Sequence, residues 1–197
     1  GLASGHHALD TLIITGSTQV LGHNQRIAGF HTTVRAHYPG IRIIDIEENQ
    51  DDDETSCRLI EKMITEGKHF QALYLTAGGV AGACKALEAH RLGGVVKVIC
   101  FDQVRSTIPY HRSGLITASI GQDPFQQGYQ AVRRLFDYLL DGSAPPERIL
   151  TKNTIIIREH YPEAQFSGPG GGQPHINKIK QEANNDYILP GYQQNPL

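Results

Sequence analysis

Short apolar runs rich in β-branched residues alternate with helical patterns through the first 160 residues of the chain. Such near-continuous apolar runs are typical of strands buried on both faces, and helices between them favour parallel pairing. The sequence therefore predicts an α/β fold, a doubly wound parallel sheet with helices on both faces. The predicted strands are residues 11–16, 41–46, 72–76, 95–101, 115–120 and 149–157, and the predicted helices are 25–37, 51–67, a segment ending near 90, 108–112 and 123–140.

The predicted topology places the candidate site at one edge of the sheet. Connections between parallel strands are almost always right-handed, so the carboxyl ends of the strands meet at the same edge. Ligands of doubly wound folds bind there. Candidate site residues therefore follow the strands, at 16–26, 76–79, 102–103 and Gln122. These segments are far apart in sequence and are expected to converge.

Charge and cysteine content argue against several kinds of partner. The chain has 18 Lys and Arg residues and 20 Asp and Glu residues, so it has no overall positive charge with which to bind nucleic acid by itself. No run approaches the roughly 18 apolar residues of a membrane span. The cysteines Cys57, Cys84 and Cys100 form no CxxC pair. An odd number at wide spacing favours reduced thiols and hence a cytoplasmic protein.

No metal site, cofactor or catalytic residue is predicted. The ten histidines lack ligand spacing, and no nucleophile elbow is present. The Gly-rich turn at residues 77–83 is a rival signal, because it follows a strand and opens a helix as a phosphate-binding turn does. It lacks the G-x-G-x-x-G spacing and follows the third strand instead of the first. Close helix–sheet packing is the simpler interpretation, and a nucleotide-dependent α/β enzyme stays as an alternative.

Composition divides the chain into three segments. Residues 1–8 are predicted to be a flexible start, and residues 9–160 carry the alternating strands and helices. Residues 167–172 have the composition of a flexible linker, and the sequence beyond them is polar and rich in Asn and Gln. Residues 161–197 are therefore predicted to form a mostly disordered tail.

Four blocks of sequence, in register, resemble one known family. They are ITGSTQVLGHNQRIAGFHTTVRAHYPGIRI, VKVICFDQV, GLITASIGQDPFQQGYQAV and LTKNTIIIREH. Together they resemble the C-terminal lobe of the sensor domain of lactose-repressor-type transcriptional regulators, a lobe shared with type I periplasmic sugar-binding proteins. The resemblance spans about residues 9–160. The combination GHNQR, FDQV and GQDPFQQG is similar to repressors that use a ribose-binding-protein-like sensor.

The resemblance implies roles for individual residues. In that family an Arg that opens the first helix of this lobe holds ligand hydroxyls, and Arg26 stands at that place. An Asp that closes the FD strand accepts hydrogen bonds from a sugar, which implies this role for Asp102. A Gln near the lobe crossing contacts ligand in the ribose-binding branch, and Gln122 matches it. Thr76 and Ala77 complete the predicted set at the end of the third strand. The resembled family usually has Asn-Asp after this strand, and Ala77-Gly78 stands at that place here.

The function implied by the resemblance is that of a non-catalytic sensing domain. Such a domain binds a small polar molecule, expected to be a sugar, between two lobes and signals by their closure. The intact regulator would be a cytoplasmic homodimer that contacts DNA only through a helix-turn-helix upstream of Gly1. The first alternative is a solute-binding protein of a sugar ABC transporter.

The helix predicted after the GQDP turn has a special place in the resembled family, where it packs on the N-terminal lobe. That lobe and the helix-turn-helix are expected to be absent from this chain. The helix at residues 125–140 carries Tyr129, Val132, Leu135 and Leu139 as apolar side chains. We therefore expect it either to expose a large apolar face or to fold back on the sheet.

Overall fold

The computed structural model describes residues 8–160. The predictions of a flexible start and of a disordered tail at residues 161–197 concern segments outside these described residues, apart from Ala8. Among residues 8–160, no helix is both long enough and apolar enough to cross a membrane.

Strands and helices alternate along the described part of the chain. The strands are β1 (Leu9–Thr15), β2 (Ile41–Glu48), β3 (Ala72–Leu75), β4 (Lys97–Phe101), β5 (Ile116–Gly121) and β6 (Thr154–Ile156). The α-helices are α1 (Leu21–His37), α2 (Asp53–Thr65), α3 (Val80–Ala89), α4 (Ile108–Ser113) and α5 (Pro124–Asp141). Short 3₁₀ turns lie at Arg105–Thr107 and Arg158–His160.

The six strands form one sheet in the order β2-β1-β3-β4-β5-β6. The first five are parallel, with Ile14 beside Leu75 and Leu75 beside Cys100. This confirms the predicted doubly wound parallel sheet. The last strand, β6, pairs antiparallel with β5, so the sheet is not parallel throughout. Strand order reverses between β1 and β3, which is where doubly wound folds open a crevice at the carboxyl edge.

The main core lies between the sheet and the pair α2 and α3. Alternate residues of the central strands, such as Leu12 and Leu75, are fully buried on this face together with Ile60 of α2 and Leu87 of α3. Small residues in α3 let the two helices approach closely, since a Cβ at Gly82 would overlap the backbone of the first turn of α2. The cysteines Cys84 and Cys100 are buried members of this core.

The opposite face of the sheet is covered by α1. Phe30 stacks on Tyr74 of β3 with ring centroids 4.8 Å apart, and Val34 is buried. The helix begins at Leu21, four residues before the predicted start, and Val20 is its N-cap residue. Asn24, the residue before the predicted start, therefore lies inside the helix, where its side chain donates to the carbonyl oxygen of Thr18 at 2.6 Å.

The helix α5 exposes its apolar side chains. Of its 18 residues none is buried, although it is strongly amphipathic. The exposed fractions of Val132, Leu135 and Leu139 are 70%, 59% and 73%. Of the two arrangements expected from the sequence, the structure therefore has the exposed apolar face.

Candidate ligand-binding site

The guanidinium of Arg26 reaches from α1 across the carboxyl edge of the sheet. It donates to the backbone carbonyl of Thr76 and, at 2.9 Å, to Oε1 of Gln122. Its Cζ lies 4.0 Å from the centre of the Phe101 ring, a cation–π contact. These contacts hold the long side chain at the ends of β3, β4 and β5, the edge where doubly wound folds bind ligands.

The amide of Gln122 links Arg26 to Asp102. Its Nε2 donates to Oδ1 and Oδ2 of Asp102 at 2.9 and 3.0 Å, while its Oε1 accepts from Arg26. The backbone of Asp102 is left-handed, with φ of 62°, and its N–H donates to the carbonyl oxygen of Ile120 at 3.0 Å. A left-handed residue with a Cβ costs about 1–2 kcal/mol, so the surrounding structure must hold Asp102 in place.

This arrangement suits a ligand rich in hydroxyl groups. Arg26 uses two N–H groups on protein acceptors and has five in all. The carboxylate of Asp102 has about four acceptor positions, of which Gln122 takes two. Planar forks of this kind bind paired hydroxyls two at a time. The site therefore offers donors and acceptors side by side.

The two remaining predicted residues lie at the same edge but offer less. The side chain of Thr76 is buried, and its Oγ1 donates to Oγ1 of Thr15 at 2.7 Å. Its carbonyl oxygen already accepts from Arg26. Ala77 is half-buried and has no polar side chain. The structure thus brings Arg26, Asp102, Gln122 and the backbone of Thr76 together, while ligand binding by these residues stays a prediction.

The Gly-rich turn after β3 is already occupied by carboxylates. Oδ1 of Asp51 accepts from the N–H of Gly78 at 2.7 Å, and Oδ1 of Asp53 accepts from the N–H of Gly82 at 3.0 Å. A phosphate would have to displace these anions from the same amide groups. A Cβ at Gly79 would meet the Asn49 side chain, so the glycines serve close packing. This argues against the nucleotide-dependent enzyme.

The loop after β2 lies at this edge but is not among the site segments predicted from the sequence. Asn49 is fully buried. The carboxylate of Glu48, the last residue of β2, accepts hydrogen bonds from the hydroxyl of Thr18 and, at 3.1 Å, from the backbone N–H of Thr18. The side-chain hydrogen bond from Thr18 is the main cause that lowers the pKa of Glu48. The rule that sites follow strands would have found these residues, because residues 49–51 follow the second strand as directly as residue 16 follows the first.

A metal centre has no ligand cluster in the described part of the chain. No group of three or more His, Cys, Asp or Glu side chains there is placed to hold an ion. The acidic run at residues 51–53 instead caps α2 through Asp52, which accepts from Thr55 N at 2.7 Å, and binds the Gly-rich turn.

Comparisons with known proteins identify relatives over this part of the chain. A family model described as a periplasmic binding protein domain matches residues 3–143. The D-ribose/D-allose-binding protein of Pseudomonas aeruginosa is 26% identical over 134 residues, which are 68% of this chain and 41% of that protein. A solved glucose-galactose binding protein of Geobacillus stearothermophilus is 28% identical with a TM-score of 0.72, and the match covers 80% of this chain and 55% of that one.

A further structure supports the fold alone. It is a carbohydrate transporter solute-binding protein from Agrobacterium radiobacter in complex with D-arabinose, 24% identical with a TM-score of 0.70. The match covers 81% of this chain and 52% of that one. The present chain thus spans about half the length of its relatives.

The predicted cytoplasmic location is wrong. The matched family model describes periplasmic binding proteins, and the relatives include a D-ribose/D-allose-binding protein. The argument from cysteines failed because Cys84 and Cys100 are buried core residues, and burial raises the pKa of Cys100 to about 12. Inert thiols of this kind pack as small apolar side chains, so their number does not report the compartment.

The resemblance to lactose-repressor-type regulators is shown only at the level of the shared domain. The relatives are named as sugar-binding and transport proteins, and none of those described above is named as a regulator. The family model covers well over half of the 197 residues, including all of α1 to α5 and β1 to β5. The chain belongs to the periplasmic binding protein domain family.

Proposed function

We propose that this chain is a non-catalytic sugar-binding lobe of a solute-binding protein that serves a sugar ABC transporter. The observation that carries the proposal is the hydrogen-bonded series Arg26–Gln122–Asp102 at the carboxyl edge of the sheet. It joins donors and acceptors from three distant segments at the crevice where doubly wound folds bind ligands. The names of the relatives give their sugars as D-ribose or D-allose, glucose or galactose, and D-arabinose.

The ligand in this proposal lies between the lobe at residues 9–160 and a second lobe. Closure of two lobes removes a sugar from water and makes each of its hydrogen bonds more selective. The exposed apolar face of α5 supports this arrangement, because a second lobe would bury side chains such as Leu135 and Leu139.

The transport interpretation is preferred to the sensor of a regulator. Its support is the periplasmic family model and the names of the relatives, and it entails a location outside the cytoplasm. A homodimer and DNA contact through a helix-turn-helix have no support among these relatives.

The experiment is saturation-transfer NMR on the full 197-residue chain with D-ribose, D-allose, D-arabinose and D-galactose, and with NAD⁺ as the nucleotide probe. At least one sugar is expected to bind, with a Kd on the order of millimolar, because one lobe contacts only one side of the ligand. NAD⁺ is expected to give no signal.

Two variants connect the binding to the proposed site. Asp102→Ala should weaken sugar binding by about 2 kcal/mol, roughly 30-fold, because it removes a charged acceptor. Asp10→Ala is the matched control, since Asp10 lies at the start of β1 and forms an ion pair with Arg42 at 2.7 Å. Binding of NAD⁺ without any sugar, or equal weakening by both variants, would contradict the proposed function.

A further inference from the structure

Asp51 places a carboxylate over the end of the central strands. Its Oδ1 accepts from the N–H of Gly78 at 2.7 Å. A Cβ at Gly16 would lie 2.6 Å from its Oδ2, so the carboxylate covers the residue that follows β1. The Asp51 side chain is exposed and stands between the ends of β1 and β3.

The loop that carries Asp51 is held in an unfavourable backbone conformation. Gln50 and Asp51 have φ of 55° and 59°, two consecutive left-handed residues with a Cβ. Buried Asn49 stabilises this loop: its Oδ1 accepts from the N–H of Asp51 at 2.9 Å, and its Nδ2 donates to the carbonyl oxygen of Gly78 at 2.8 Å. The position of the carboxylate is therefore preorganised before any ligand arrives.

Asp51 and Arg26 contact the same turn of the chain. Arg26 donates to the carbonyl oxygen of Thr76, and Asp51 accepts from the N–H of Gly78, two residues later. Two residues span at most about 7 Å, so both side chains border the same part of the crevice. Residues 77–79 have no polar side chain of their own. Asn49, which also contacts Gly78, is buried, so the exposed acidic side chain at this point is that of Asp51.

Resting on the proposed function, we propose that Asp51 contacts the ligand and determines its specificity. An ionised carboxylate only accepts hydrogen bonds, and it repels other anions. Together with Asp102 it gives the carboxyl edge two carboxylates, and Arg26 contributes a cation at the carbonyl oxygen of Thr76, just after β3. The site is therefore selective for neutral or amino sugars over sugars that carry a carboxylate or a phosphate.

The test compares D-galactose, D-galactosamine and D-galacturonate on the full chain by NMR titration. The wild type is expected to bind galactose at least tenfold more tightly than galacturonate. Asp51→Asn keeps an oxygen acceptor for the Gly78 N–H but removes the charge, so it should reduce this ratio at least fivefold. Glu54→Gln is the charge control, because the Glu54 side chain is 80% exposed on the outside of α2.

A second readout does not depend on which sugar binds best. The backbone amide signals of Gly16 and Gly78 should shift during titration with the tightest-binding sugar of D-ribose, D-allose, D-arabinose and D-galactose. The role of Asp51 would be overturned if these signals did not move, or if the ratio of galactose to galacturonate affinity were equal in the wild type and Asp51→Asn. In either case, loss of sugar binding in Asp102→Ala would still uphold the proposed function. Absence of binding by all four sugars would overturn both.

Discussion

At the scale of residues, the Gln122 amide determines how the charges of Arg26 and Asp102 are arranged. A direct ion pair between Arg26 and Asp102 would satisfy each charge with the other. With Gln122 between them, each charge is oriented by a neutral amide and keeps hydrogen-bonding capacity for a ligand. An arginine and an aspartate can therefore share one edge without pairing directly with each other.

The sequence sufficed to find the three polar residues of this network but not their surroundings. Arg26, Asp102 and Gln122 follow from the rule that sites lie after parallel strands, combined with the family resemblance. Asp51 was predicted only as the first residue of the helix at residues 51–67. Its contact with Gly78 depends on two left-handed residues in the loop, a conformation that Gln and Asp rarely adopt and that local sequence does not signal.

A buried histidine gives a prediction for stability against pH. His111 of α4 is fully buried, and burial lowers its pKa below the usual value near 6.5. The unfolded chain therefore binds more protons than the folded chain just below pH 6.5, so stability rises with pH there and is lost on acidification. The slope is at most about 1.4 kcal/mol per pH unit for one such group.

Urea unfolding at pH 5.5, 6.5 and 7.5 tests this histidine. His111→Gln should flatten the change in unfolding free energy between pH 5.5 and 6.5, whereas His31→Gln, at an exposed position of α1, should preserve it. Carboxylates with lowered pKa, such as Asp52, act at lower pH and do not obscure this window. Equal slopes in the wild type and His111→Gln would contradict the assignment.

At the scale of elements, α5 differs from every other long helix of the lobe. The buried stripe of α2, with Ile60 and Met63, faces α3 and the sheet, whereas α5 has an equally clear apolar stripe and buries none of it. The pattern of apolar residues predicted a helix here correctly. The pattern does not identify the surface on which the helix packs, because that surface lies outside the element.

The exposed face of α5 should be dispensable for the stability of the lobe. The double variant Leu135→Glu/Leu139→Lys is expected to change the unfolding free energy by less than about 0.5 kcal/mol, because both side chains are already exposed. It should also reduce the fluorescence of a dye that binds apolar surface. Leu87→Ala, in the buried core, should cost about 2–5 kcal/mol. Comparable destabilisation by the two changes would show that α5 packs on the lobe.

Element boundaries show where local signals were misleading. The start of α1 was predicted four residues too late, and the Asn24 side chain just before that predicted start bonds to the loop at Thr18 instead of capping the first turn. The antiparallel direction of β6 was likewise not predicted, since a short apolar run has no direction of its own. Strand direction is set by the connection through α5 and by the Ser119–Ile156 pairing.

At the scale of the whole molecule, the described residues form one α/β unit whose carboxyl edge carries the proposed site. The sheet and its carboxyl edge agree with the periplasmic binding protein domain, while the relatives are about twice as long. Alternation of strands and helices sufficed to predict this fold. The compartment was predicted wrongly, because buried thiols are compatible with any redox environment.

The proposed site requires the hydrogen-bonded series at the carboxyl edge to respond to a bound sugar. The measurement follows the side-chain signals of Arg26 Nε–H and Gln122 Nε2–H₂ by ¹H–¹⁵N NMR while D-ribose, D-allose, D-arabinose or D-galactose is added to the full chain. We expect both signals to move and saturate together, with one dissociation constant. Sugar binding that leaves both signals unmoved and perturbs the face of α5 instead would contradict the proposed site.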